Sequence, residues 1–165
     1  MSLVLRPFEP SDQDAAVQAW QDFKGTSFDF LTSYYDGQPW DEYLKLLNDV
    51  SHGRNLPTGH VPGEMLAAVV NEVLVGRVSV RYELNEYLRT RGGHIGYAVI
   101  EGGYATEILR QALQRMAARG VSSVLLTCDD DNIGSATVIE SQGGKLEKTT
   151  LDNEGVPFRR YWVAL

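Results

Sequence analysis

Between Gly92 and Gly144 the chain reads as strand, tight turn, helix, strand and helix in succession. An apolar run at 94–100 leads into the glycine pair Gly102 and Gly103. Apolar residues then recur at spacings of three and four through Ile108, Leu109, Ala112, Leu113, Met116 and Ala117, and a second apolar run occupies 124–128. Two strands joined through a helix imply a right-handed crossover, and a glycine turn before that helix leaves a phosphate-sized opening at its N-terminus. Gly120, following Arg115 and Arg119, stops the helix. A further helix over 133–142 closes at Gly143. Two glycines are also what any tight strand-to-helix turn needs, so alone they do not choose between turn and anion site.

The flanks add antiparallel elements. A short strand over 3–8 is confined by Pro7 to an edge or an end. Ser11 and Asp12 cap a helix reaching about Phe23, with Ala16, Trp20 and Phe23 on one face. An irregular aromatic stretch follows, then a helix after Pro39 with Trp40, Tyr43, Leu44 and Leu47 in line. Runs 64–70 and 73–84 pair through the tight turn Asn71-Glu72. In the second run Val78, Val80 and Tyr82 share a packing face, and Arg77, Ser79 and Arg81 a polar one. Runs 145–149 and 158–164 form a last pair. One α+β domain over residues 1–165 is expected, with no repeat, linker or low-complexity tract.

Composition narrows the function. No apolar run approaches a membrane span, and the start MSLVLRPFEP lacks the basic and long apolar parts of a signal peptide. A single cysteine excludes an internal disulfide framework and fits a reducing cytoplasm. With Lys and Arg totalling 15 against 22 Asp and Glu, the net charge of −7 argues against nucleic acid as partner and suits a cationic amine. An ordinary solvated surface has the same sign. His52 and His60 lack partners at metal-ligand spacing and read as surface residues, so no metal is expected.

The segments HIGYAV, GGYATEILRQAL and LLTCDDDNIGSATVIESQGG resemble the GNAT superfamily, the acyl-CoA-dependent N-acetyltransferases. The flanking RYELNEYL and GVPFRRYWVAL look like a bacterial subgroup described only as predicted acetyltransferases. The resemblance implies a mixed, mostly antiparallel central sheet, splayed between parallel strands 4 and 5, with helices on both faces. It implies acetyl-CoA as acyl donor, a small-molecule or peptide amine as acceptor, and is compatible with a homodimer. An acyl-CoA-binding module without efficient catalysis is the alternative.

In that family pantetheine fills the splay and bonds the main chain, here at Tyr97, Ala98 and Val99. Gly96 would be a bulge freeing an N–H for the thioester oxygen. Gly102, Gly103, Tyr104, Ala105 and Thr106 would hold the diphosphate, with Asn132 and Ser135 on the cofactor side. His94 stands where several members place a catalytic glutamate, and as a base it would deprotonate the amine; it would equally serve as a carbonyl partner at a strand start. Glu83 is the second candidate base, or a solvated carboxylate.

Three positions depart from the family. Ile139 replaces the tyrosine that usually protonates the sulfur. Ile100 stands where the loop usually has Gln or Arg. Only Ile100-Glu101 intervenes where a Pro- and Arg-rich stretch is usual. Because everything around it matches, a break with residues missing between Val99 and Gly103 is expected there rather than a short loop.

Overall fold

The computed structural model describes residues 2–165. Seven strands and four helices alternate in it: β1 (Leu3–Pro7), α1 (Gln13–Asp22), α2 (Trp40–Ser51), β2 (Gly63–Val70), β3 (Val73–Arg81), β4 (Ile95–Val99), α3 (Ala105–Ala118), β5 (Ser123–Asp129), α4 (Ile133–Ser141), β6 (Lys145–Leu151) and β7 (Pro157–Ala164). The strands fall into two antiparallel sheets, ordered β1-β2-β3-β4 and β5-β7-β6. The expected splay is therefore wide enough to divide the sheet.

Burial explains how the four-stranded sheet is clothed. Along β2, Leu66, Ala68 and Val70 pack into one core with Ile108, Leu109, Ala112 and Met116 of α3. Met65, Ala67 and Val69 point the other way, into a second core with Ala16, Ala19, Trp40 and Tyr43 of the first two helices. The period-2 alternation of a strand thus feeds two helical layers, one per face. The face of β3 read as polar is covered too, with Arg77 at 6% exposure and Ser79 at 8%. Its cover is the connection between α1 and α2, where Phe30 and Leu31 are fully buried.

The stretch 85–93 contains a single wide helical turn at Leu88–Gly92. Gly93 ends it at φ +70, where an added Cβ would lie 2.7 Å from the Leu125 carbonyl oxygen. Only glycine permits both the left-handed backbone and that approach. The approach sets up the join between the two sheets.

Candidate active site

His94 makes that join. Its backbone N–H donates to Leu125 O at 2.8 Å, and its Nδ1 accepts the Leu125 N–H at 2.8 Å. One residue thus caps both polar groups of Leu125 before β4 and β5 part. Both strands then run away from the join toward one pocket, where Tyr97, Ala98 and Val99 of β4 face Asn132, Gly134, Ser135 and Val138 after β5. The strands are parallel and form a V.

His94 is 6% exposed. Burial first, and the Arg81 charge second, hold its pKa below the ordinary histidine value. With Nδ1 accepting a hydrogen bond, the ring proton resides on Nε2. The basic lone pair is thereby committed to Leu125. Glu83 is exposed, past the C-terminal end of β3.

The edge of β4 inside the V is open. Arg81 N–H donates to His94 O at 2.8 Å and Ile100 N–H to Val75 O at 2.8 Å. In the register that pairs Gly76 with Val99 and Val80 with Ile95, antiparallel alternation makes Ser79–Gly96 and Arg77–Ala98 hydrogen-bonded pairs as well. The N–H and C=O groups of Tyr97 and Val99 then point away from β3, into the V. Two expectations change. No register shift occurs between β3 and β4, so Gly96 is not a bulge and its N–H faces Ser79. The free donor belongs to Tyr97. Ala98 lines the pocket, yet its main chain belongs to the ladder with Arg77.

The pocket holds about 190 Å³, below the ~300–1,000 Å³ of a typical small-molecule site, so it suits a linear arm more than a whole nucleotide. Phe23 and Phe28 close one side. Phe23 reads as core in the sequence, on a helical stripe, and Phe28 belongs to the irregular aromatic stretch after it. Across the V the Tyr97 hydroxyl and Ser135 Oγ are hydrogen-bonded at 2.8 Å. Burial raises the Tyr97 pKa, which keeps that hydroxyl protonated. Ile139, at the position of the missing tyrosine, is fully buried in the core. Cys128 is buried with a raised pKa, from desolvation, and stays a thiol.

Two helix N-termini open onto this pocket through Ala105 and Asn132. That of α4 is capped, Asn132 Oδ1 accepting the Ser135 N–H at 3.1 Å. That of α3 has no side-chain cap at Tyr104, and its first-turn N–H groups have no acceptor within the helix. The turn 100–104 joins it to β4. Gly103 turns at φ +96, and a Cβ on Gly102 or Gly103 would meet nothing within 4 Å. Tyr104 is partly buried against the main core, and Thr106 is exposed. No Arg or Lys occurs between Val99 and Arg110. Glu107 is held at a pKa of about 2 by its bonds to Arg110 and Gln111, so its charge is matched within the helix.

A family model described as an acetyltransferase (GNAT) domain matches residues 2–145 of this chain. The chain belongs to the GNAT acetyltransferase family. Solved structures share the fold at low identity. A ribosomal-protein-alanine N-acetyltransferase from Brucella melitensis superposes at TM-score 0.68 with 18% identity, over 98% of this chain and 99% of that one. A spermidine/spermine N-acetyltransferase from Vibrio cholerae gives 0.62 and 16%, over 99% and 95%. A putative acetyltransferase from Salmonella typhimurium, solved with its cofactor acetyl-CoA, gives 0.65 and 12%, over 100% and 95%. No curated protein matches the sequence. For a GNAT domain, the V between β4 and β5 is the region to test against the acyl donor. Its open strand edge, apolar wall at Val138 and uncapped α3 terminus fit an amide-bearing arm ending in a diphosphate. Among the described residues no group of His, Cys, Asp or Glu could hold a metal, and no helix is long and apolar enough to cross a membrane.

Proposed function

We propose that this chain transfers an acetyl group from acetyl-CoA to a primary amine of a small molecule or peptide, by direct attack. The observation that carries the reading is the unpaired edge of β4 at Tyr97 and Val99, facing the same pocket as the uncapped N-terminus of α3. Tyr97 and Val99 would bond the amides of the pantetheine arm as a further strand would. The first-turn N–H groups of α3, at the positive end of its dipole, would hold the diphosphate. Acetyl-CoA supplies an acyl carbon activated as a thioester; the amine nitrogen bonds to it as the C–S bond breaks. The Tyr97 N–H is the donor for the carbonyl oxygen. The Tyr97 hydroxyl, backed by Ser135, is the O–H group for the departing sulfur.

An alkylammonium near pKa ~10.4 must lose a proton before it attacks. His94 has no free lone pair for this and the pocket lining holds no carboxylate or histidine, so the proton passes to water. The log of kcat/KM should then climb steadily between pH 6.5 and 9. A plateau near neutrality would return His94 to the role of base.

The binding-module alternative is favoured by two observations: Ile139 fills the usual acid position with core, and the turn 100–104 brings no cation to the diphosphate. An acetyl-CoA thermal shift followed by a thiol-release assay on an amine panel separates the two. Stabilisation with release is expected. Stabilisation without release on any amine would establish the module, and no stabilisation would remove both.

A further inference from the structure

Resting on the acetyl-transfer reading, we propose that the acceptor carries a carboxylate close to its amine, and that Arg81 receives it. Arg77 and Arg81 project from one face of β3 toward Gly96. A Cβ built on Gly96 would lie 3.5 and 3.8 Å from Arg81 Nη1 and Nη2, and 3.9 Å from Arg77 Nη1. Both cations therefore sit beside the residue preceding Tyr97, whose N–H opens into the V.

The two arginines differ in what they hold. Arg77 is spent on structure: Nε donates to Phe30 O at 3.0 Å, Nη2 to Asp29 O at 2.6 Å, and Nη1 to Gly96 O at 2.9 Å and Ser79 Oγ at 3.4 Å. Arg81 makes one long bond, Nη1 to Gly93 O at 3.4 Å. Among the described residues neither lies within ion-pair distance of a carboxylate. The other arginines all do except Arg89, which is exposed. Asp29 acts on Arg77 from beyond ion-pair distance, whereas no carboxylate acts on Arg81, a lack that 22 acidic residues against 15 basic ones do not force.

Desolvation lowers the pKa of both, that of Arg77 to about 10 with Arg81 its next cause, so an anion here would relieve burial and mutual repulsion together. None of the buried side-chain nitrogens among the described residues lacks a partner, so the unbonded donors of Arg81 face an opening rather than a sealed wall. A guanidinium with free donors on one edge matches a planar carboxylate.

The anion is not the donor's diphosphate. Three residues of extended chain separate Gly96 from Val99, about 10 Å, and the α3 terminus lies beyond Val99. It belongs to the acceptor. The same chemistry could come from a free amino acid or from an acidic residue at the start of a peptide. A polyamine is disfavoured, because it would bring further positive charge against Arg77 and Arg81.

The test is calorimetric binding of product-like probes with CoA present, which needs no turnover. One arm compares N-acetylleucine with its amide. The other compares short N-acetylated peptides beginning with aspartate or asparagine. In at least one arm the acid should bind about tenfold or more tightly, the range of a charged hydrogen bond, and Arg81→Met should reduce that ratio to near one. The arm that shows the difference identifies the source. Arg81→Lys should keep part of the preference if Arg81→Met does not fold. Equal binding of acid and neutral probe in both arms, absence of binding included, overturns the proposal, as does a preference that survives Arg81→Met. Retention of CoA in the same titration shows whether the donor site stands independently.

Discussion

At the scale of the residue, His94 serves the join between the two sheets. A histidine at the start of a central strand looks like a base, yet its Nδ1 takes the Leu125 N–H and its ring is closed off. Removing that acceptor leaves a buried donor unpaired, so His94→Leu should cost about 1–3 kcal/mol in a denaturant melt. The pH dependence has a definite sign. The folded-state pKa is lowered, so the unfolded chain binds the extra proton first, and stability falls as pH drops through the unfolded value near ~6.5. The loss levels off once pH is below the folded value. Urea midpoints at pH 7.5 and 5.5 should therefore differ more in the wild type than in His94→Leu. An equal difference in both would show that His94 does not carry the effect. The sequence offered a structural role at the strand start but not this partner, because spacing identifies a residue's strand position and not the atom that faces its nitrogen.

At the scale of the element, the periodic segments were the legible ones. The apolar spacing from Ile108 to Met116 returns as the buried stripe of α3, with Ala117 exposed, and the two apolar runs return as β4 and β5. The errors lie where partners come from far away in sequence. The Arg77-Ser79-Arg81 face reads as polar, but it is covered by the connection between α1 and α2. Gly96 reads as a bulge, but the β3–β4 register is regular and the free N–H lies one residue on. Of the proposed cofactor residues, Tyr97, Ala98, Val99, Ala105, Asn132 and Ser135 converge on one pocket; Gly102, Gly103, Tyr104 and Thr106 form the turn and helix start beside it. Gly102 gives the cleaner test of that turn, since its backbone needs no positive φ and a Cβ there meets nothing. Gly102→Glu should fold normally and weaken acetyl-CoA about tenfold or more, by placing a negative charge at the positive end of α3. Unchanged affinity would put the diphosphate elsewhere.

At the scale of the whole molecule, two antiparallel sheets meet at one histidine and open into a V, clothed by α1 and α2 on one side and α3 and α4 on the other. In the proposed activity, a donor from the α3 side and an acceptor from the side of Phe28 and Arg81 would meet along the same short length of β4. Everything in the proposed activity depends on the backbone of β4 being unpaired there. Backbone amide exchange, read residue by residue with and without acetyl-CoA, addresses this directly. The N–H groups of Tyr97 and Val99, together with those of Ala105, Thr106 and Glu107, should exchange freely alone and become protected on binding. Acetyl-CoA that binds without protecting Tyr97 and Val99, or amides already protected in its absence, would contradict the account.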